Sequence, residues 1–445
     1  MRYDSIIIGF GKAGKTLAAT LAKKGEKVSL IEKDKKMYGG TCINIGCLPS
    51  KNLLNSSKDG KLSQIDKKEF YKKSIIKKKN LIAKLNEANY NNVVNSGAEV
   101  IDGSASFKDK ETVLVKTESE ELEVKADKIF INTGATPFIP KMEGIENNEN
   151  VFTSTSIMNL EELPENLTII GGGFISLEFA SIYANFGSKV RILIREDKFL
   201  PREDTDISDE IRKSLEEKEI EILLNSETSR INGDTLYYVE NGEEKLIENT
   251  KVLISTGRRA NVKDLNLESA GVELTDRGLI KVNEYLETTQ ENIYALGDVS
   301  SQYQFTYTSL DDFRIVKSQL LGDKSYSISE RKVFATSTFI EPTYSRIGLN
   351  EKEAKEKGID YKVNVMKVES IPNAKVLGKT KGLLKALVDS KTNKILGVML
   401  FVERSEEIIN FVKLAMDEGL EYTKLRDFVF THPTISEALN DLFNM

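Results

Sequence analysis

Apolar runs of strand length and amphipathic stretches alternate along the first part of the chain. Ser5-Ile6-Ile7-Ile8 is an unbroken apolar run, followed by GFGKAG and then by a stretch whose Leu17 and Leu21 share one helical face. Val28 to Ile31 is the next apolar run, and it ends at Glu32. The order predicts strand, glycine turn, helix and strand, a parallel βαβ unit. The pattern occurs a second time, with the strand Leu167-Thr168-Ile169-Ile170, the turn GGGFIS, a helix through Ala184 and a strand over Val190 to Ile194. Between the copies, Lys67 to Asn95 reads as a long basic helix. Phe70, Ile75, Ile76, Leu81, Ile82 and Leu85 fit one broad apolar face, and the lysines are expected in solvent. From about Arg331 the periodicity changes to strands, over Tyr361 to Val368, Leu383 to Val388 and Ile395 to Phe401, with helices over Glu406 to Ala415 and Ile435 to Phe443. This predicts a separate α+β domain.

The turns carry the first chemistry. Gly9, Gly11 and Gly14 have G-x-G-x-x-G spacing, and Glu32 ends the following strand. Such glycines permit a tight turn, close approach of backbone to a pyrophosphate and close helix–strand packing. The helix amino terminus offers N–H groups to phosphate, and the acid can take ribose hydroxyls. In the second copy Gly171 and Gly173 keep their places, while Ser176 stands third. Two copies imply two dinucleotides and electron transfer between them.

Composition narrows the remaining classes. A chain of 445 residues corresponds to about three domains. With 63 Lys+Arg against 69 Asp+Glu the net charge is −6, so there is no basic field to recruit nucleic acid or an anionic membrane. No run approaches the length of a membrane helix, and the amino terminus shows no signal-peptide pattern, so a cytoplasmic protein is the expectation. Two cysteines cannot build a disulfide framework. With a single histidine they cannot complete a soft zinc site without carboxylates, and no metal is expected.

The two cysteines lie in GGTCINIGCLPSK as Cys42 and Cys47. On a regular helix positions i and i+5 are separated by ~7.5 Å along the axis and about 140° around it, whereas a disulfide needs α-carbons within ~6.8 Å. A bond between them requires a distorted turn, which Gly46 and Pro49 permit. Two buried free thiols satisfy the same spacing. The adjoining dinucleotide fold, with Gly39-Gly40-Thr41 ahead and Pro49-Ser50-Lys51 behind, favours a redox pair.

Together with INTGATP (131–137), TTQENIYALGD (288–298) and FTHPTISE (430–437), the cysteine segment resembles the class I pyridine nucleotide–disulfide oxidoreductases over the whole chain. Dihydrolipoyl dehydrogenase, glutathione reductase and mercuric reductase are members. The resemblance implies an α/β fold with two Rossmann-like domains and an α+β dimerisation domain. The FAD-binding domain would span 1–150, completed by about 272–325, the NAD(P)-binding domain 151–271 and the interface domain 331–445. It implies FAD along Gly9, Gly11, Gly14, Glu32, Thr41, Lys51, Ala105, Thr133, Gly134, Gly297 and Asp298, and NAD(P)H along Gly171, Gly173, Arg195 and Gly257. Lys51 and Glu178 would form an ion pair beside the flavin. Cys47 would be the flavin-proximal thiol and Cys42 the thiol that meets substrate. His432, oriented by Glu437, would move protons for Cys42 of the neighbouring subunit, making the active unit a homodimer.

Details point to one branch of the family. No third cysteine is present to relay electrons as in mercuric reductase. QFTYTSLDDFRIV (304–316), FLPRED (199–204), IPNAKV (371–376) and THPTISEALNDLF (431–443) resemble the reactive-chlorine-resistance branch. That resemblance implies reduction of a small oxidant such as hypothiocyanous acid, and copper(II) reduction is also attributed to the branch. The alternatives are a dihydrolipoyl dehydrogenase or glutathione-type reductase, or a non-catalytic flavoprotein with a structural or sensory disulfide. Ile194 stands where NADH-type relatives carry an acid, and Arg195, Lys198 and Arg202 follow. This favours NADPH, although Glu196 argues for NADH.

Overall fold

The computed structural model describes residues 1–60 and 65–445. Its first sheet forms around β1 (Arg2–Ile8), whose Ser5 to Ile8 are buried on both faces as expected for a central parallel strand. Next come α1 (Lys12–Ala22), β2 (Val28–Glu32), the short α2 (Gly40–Asn44), α3 (Cys47–Gly60) and the long α4 (Lys67–Val94). Strands β3 (Glu99–Asp102), β4 (Ser104–Phe107), β5 (Thr112–Lys116) and β6 (Glu121–Ile131) complete the order β3-β2-β1-β6-β5-β4. In register, Ile7 lies opposite Leu30 on one side and Phe130 on the other. The strand β7 (Ala135–Pro137) leads out of this sheet.

The second βαβ copy folds as β8 (Val151–Thr153), β9 (Asn166–Ile170), α5 (Phe174–Phe186), β10 (Lys189–Leu193), α6 (Thr205–Glu216) and β11 (Glu221–Leu223). An antiparallel meander of β12 (Ser226–Asn232), β13 (Thr235–Glu240) and β14 (Glu243–Ile247) precedes β15 (Lys251–Ile254). The parallel order is β11-β10-β9-β15-β8. The chain then returns: β16 (Arg258–Ala260) pairs with β7, and β17 (Ile293–Ala295) adds to β6 of the first sheet. Helix α7 (Thr306–Leu321) packs on α1.

The last sheet is antiparallel, built from β18 (Thr336–Thr338), β19 (Tyr344–Gly348), β20 (Tyr361–Lys367), β21 (Leu383–Asp389) and β22 (Ile395–Phe401) in the order β18-β19-β22-β21-β20. Short α8 (Glu351–Glu356) and α9 (Pro372–Val376) interrupt the strands, and α10 (Ser405–Asp417), α11 (Thr423–Arg426) and α12 (Ala438–Leu442) follow. Alternation along β21 and β22 explains why both faces are covered. Leu383, Leu387, Met399 and Phe401 join Ile207, Ile211 and Leu215 of α6 in one core. Leu384, Ala386, Val398 and Leu400 join Ile408, Val412 and Leu442 in another. On the α6 face, between Leu383 and Leu387, Lys385 is 2 % exposed and pairs with Asp204 at 3.0 Å, Asp206 at 2.9 Å and Glu351 at 2.6 Å.

Two local expectations are corrected. On α4 the buried positions are Tyr71, Ser74, Ile75, Lys78 and Val93, whereas Ile76 and Leu81 face solvent. The burial of polar groups is possible because each finds a partner. The Tyr71 hydroxyl donates to Leu160 O at 2.9 Å, and the Lys78 ammonium donates to Met158 O and to Asn159 Oδ1 at 3.1 Å. The carboxy-terminal helix begins at Ala438, three residues later than Ile435. Thr434 and Glu437 close a turn ahead of it, with the Thr434 N–H donating to Glu437 Oε1 at 3.2 Å and the Glu437 N–H to Thr434 Oγ1 at 3.3 Å.

Candidate active site

The first glycine turn is built against one buried asparagine. Gly9 has φ +104°, and a β-carbon there would lie 2.5 Å from Asn132 O; one on Gly11 would lie 2.4 Å from Asn132 Oδ1. Asn132 accepts from the Gly14 N–H at 2.9 Å and donates through Nδ2 to Leu296 O at 2.6 Å. It thereby ties the turn to the end of β6 and to the segment after β17. Gly11 stands at the cap of helix α1, which has neither a side-chain cap nor an acidic residue in its first turn. That leaves a helix amino terminus suited to phosphate.

This turn forms one end of a cavity of about 2010 Å³. Ordinary small-molecule pockets reach ~1,000 Å³, so the space suits a dinucleotide. Gly9, Gly11, Glu32, Thr41, Cys42, Cys47, Lys51, Ala105, Thr133, Gly134, Glu178 and Asp298 all line it. Glu32 accepts from the Phe10 N–H at 2.9 Å and the Asp34 N–H at 3.2 Å. Burial raises its carboxyl affinity for protons, with these N–H groups opposing. Asp298 is likewise pushed up by burial and held down by Arg258. Glu32, buried, and Asp298, half-buried, both face the cavity and are sites for sugar hydroxyls, since a hydroxyl can donate to each. Gly14 and Gly297 lie behind the wall, and the Gly297 N–H donates to Asp312 Oδ2 at 2.6 Å.

The thiol site occupies the same cavity. Helix α2 breaks at Ile45, with φ −139° and ψ 12°, so that Cys42 sits in α2 and Cys47 opens α3 across Gly46. A β-carbon on Gly46 would lie 2.9 Å from Thr41 O, which explains the glycine at this break. Both cysteines are free thiols, and Cys47 is the more exposed. A hydrogen bond from Cys47 brings the Cys42 thiol down to about 6. Burial opposes this, while the Thr306 hydroxyl and the charges of Lys15 and Lys51 assist. The Cys47 thiol is correspondingly pushed up, first by its bond to Cys42 and further by the Cys42 charge. The reduced pair therefore holds one negative charge, centred on Cys42. Across from it, Lys51 Nζ pairs with Glu178 Oε2 at 2.7 Å, and Glu178 Oε1 accepts from the Phe339 N–H at 2.9 Å.

Of the second glycine turn, Phe174 and Ile175 line this cavity, while Gly171 and Gly173 do not. Gly171 has φ +110° and backs on to Ser255 O, while Gly173 and Gly257 have open space where a β-carbon would stand. Ile194 is buried under Gly172, so no polar group occupies that position, and Arg195 is exposed beside Glu196 at 3.3 Å. Neither His432 nor Glu437 lines the cavity that holds the cysteines of their own chain. His432 Nδ1 lies 2.8 Å from Glu437 Oε2, its side chain is 71 % exposed, and the bond to His432 lowers the Glu437 carboxyl.

Sequence reading did not single out Asn132, Arg258, Thr306 or Lys15. Arg258 donates to Ala135 O at 2.6 Å, and Thr306 Oγ1 lies 3.8 Å from Cys47 Sγ at the start of α7. Asn132 and Thr306 stand inside segments quoted above, yet nothing in their spacing marks a role.

Comparison with known proteins shows the family. Residues 3–312 match the family described as pyridine nucleotide-disulphide oxidoreductase, and residues 334–443 match its dimerisation domain. The chain is 44% identical, over 100% of its length and 99% of the relative's, to the Escherichia coli K12 protein named "Probable pyridine nucleotide-disulfide oxidoreductase RclA". It is 34% identical to a mercuric reductase of Staphylococcus aureus, covering 98% of this chain and 81% of that one. It is 32% identical to a dihydrolipoyl dehydrogenase of Buchnera aphidicola, covering 98% and 94%. The solved "HOCl-induced flavoprotein disulfide reductase RclA" of Escherichia coli superposes with TM-score 0.93 at 44% identity, covering 99% of each chain. A copper(II) complex of that protein gives 0.94, covering 100% and 99%.

Proposed function

Because the chain belongs to the pyridine nucleotide-disulphide oxidoreductases, we propose that this flavoprotein uses NAD(P)H to reduce a small thiol-reactive oxidant, hypothiocyanous acid or a close relative, at Cys42. The observation that carries the reading is geometric: Cys42 and Cys47 stand on either side of the break at Gly46, and both line one large cavity together with Lys51 and Glu178. An HOCl-induced relative at 44% identity supports the substrate class. The sequence has no further cysteine to carry electrons onward, so the chemistry ends at Cys42.

The residues divide the work as follows. The Cys42 thiolate attacks the electrophilic sulfur of HOSCN and forms Cys42–S–SCN, releasing hydroxide, which takes a proton from His432 of the second copy to leave as water. Cys47 then gives its proton to that imidazole and attacks the Cys42 sulfur, so that thiocyanate leaves and the disulfide closes. The sum is one thiolate, one thiol and HOSCN giving disulfide, thiocyanate and water. The cavity fits FAD, with Glu32 and Asp298 for sugar hydroxyls and the α1 amino terminus for pyrophosphate; when bound, FAD would supply the two-electron path from NAD(P)H to the disulfide. Lys51, fixed by Glu178, holds a positive charge beside that path. His432 and Glu437 reach the cysteines only from a partner, so the working unit is a homodimer.

The test is NAD(P)H oxidation by the purified holoenzyme with hypothiocyanous acid, lipoamide, glutathione disulfide and copper(II). Turnover with hypothiocyanous acid is expected. Turnover with lipoamide or glutathione disulfide and none with that oxidant would overturn the substrate assignment. An unchanged thiol count on adding NADPH would instead indicate a non-catalytic disulfide.

NADPH is the preferred donor in this reading, since exposed Arg195, Lys198 and Arg202 follow a strand end with no acid. Loss of one charged contact to the 2′-phosphate costs about 1.5 kcal/mol, roughly tenfold in affinity. Arg195→Ala is expected to raise KM for NADPH by that factor and leave KM for NADH unchanged. Equal effects on both would remove Arg195 from phosphate recognition.

A further inference from the structure

Helix α2, which carries Cys42, is wedged between α1 and α4. A β-carbon on Gly40 would lie 2.7 Å from Gly11 Cα, so there is no space between α2 and the start of α1. On the α4 side, Asn86 Nδ2 donates to Asn44 Oδ1 at 3.1 Å, and Asn44 Nδ2 donates back to Gly40 O at 3.0 Å. Lys15 lies in this seam, one residue beyond the glycine motif. Its ammonium donates to Asn89 Oδ1 of α4 and, at 3.4 Å, to Gly39 O just ahead of α2. Asn89 is oriented by its own Nδ2, which donates to Leu85 O at 2.6 Å.

Both hydrogen-bond partners of Lys15 are neutral. Burial lowers the Lys15 ammonium to about 8, the Lys12 charge adds to this, and Cys42 acts in the opposite direction. The lysine remains a cation at neutral pH, and its attraction to the Cys42 thiolate is mutual. The other groups facing Cys42 are Cys47 and Lys51 from α3 and the Thr306 hydroxyl from α7. Lys51 is paired with Glu178, so part of its field is spent.

We propose that Lys15 is a positioning residue of the thiol site, a cation bonded to the backbone just ahead of the Cys42 helix that favours the Cys42 thiolate while fixing α2 against α4. This rests on Cys42 being the thiol that meets substrate. It adds a second positive group, on α1, to the one supplied by Lys51.

Site-resolved alkylation of the NADPH-reduced holoenzyme with iodoacetamide, across pH, reads the role without any oxidant. Removing one close positive charge shifts such a midpoint by about one pH unit, so Lys15→Gln, which keeps a donor without charge, should raise the Cys42 midpoint by that amount. Lys15→Arg should restore the midpoint. Asn89→Asp, which places a carboxylate against Lys15 and leaves the lysine intact, should raise it independently. An unchanged Cys42 midpoint in both Lys15→Gln and Asn89→Asp overturns the proposal, as does a shift in Lys15→Arg equal to that in Lys15→Gln. If Cys47 alkylates before Cys42 in the unaltered protein, the assignment of Cys42 fails and Lys15 loses its role with it. If only the oxidant is misassigned, the alkylation result is unaffected.

Discussion

Cys42→Ser is expected to lower NADPH-driven reduction of hypothiocyanous acid by roughly 10³-fold or more, the scale of losing a nucleophile. A serine hydroxyl has no accessible anion at neutral pH, whereas Cys42 is brought to about 6 by its bond from Cys47. Reduction of a one-electron dye by NADPH, which needs no thiol, should survive the change and shows that the cofactors are still held. The same depression fixes a pH profile. Below about pH 6 the Cys42 thiolate is protonated, so single-turnover reaction of the reduced protein with oxidant should rise through that pH and then level. Undiminished turnover in Cys42→Ser would remove Cys42 as the nucleophile and favour a disulfide without catalytic work.

What the sequence discloses about this site follows from how far its partners lie along the chain. The glycine turns and the break at Gly46 are local, so spacing alone exposes them, whereas the Thr434–Glu437 turn stands where a helix from Ile435 is expected. Asn132 reaches Gly14 across 118 residues, and Thr306 lies 259 residues from Cys47. Such meetings are created by β6 lying beside β1 and by α7 packing on α1, which no periodicity announces. The long basic helix misleads for a related reason. Its hydrophobic pattern suggests a face through Ile76 and Leu81, but the neighbouring backbone offers acceptors at Leu160 and Met158, so Tyr71 and Lys78 are buried instead. Lys15 escapes notice because a lysine after a glycine motif looks like a solvated helix residue until α2 and α4 close over it.

His432→Gln is expected to lower turnover of the oxidant by roughly 10²- to 10⁴-fold, the range for a positioned acid–base group. Glutamine can still hydrogen-bond to Glu437 but cannot take the Cys47 proton and hand it to hydroxide. The imidazole is held by Glu437 Oε2 at 2.8 Å and presents an exposed ring on the domain matched to dimerisation, outside the cavity of its own cysteines. A site completed in trans makes a sharper prediction than loss alone. When Cys42→Ser and His432→Gln chains, each nearly inactive, are unfolded and reassembled together, random pairing yields half heterodimers. Each heterodimer contains one site with an intact Cys42 from one chain and an intact His432 from the other. About a quarter of the wild-type activity should therefore return, measured as NADPH oxidation per FAD. If the histidine served the cysteines of its own chain, no mixture of the two could regain activity, because every chain would carry one defect at its own site.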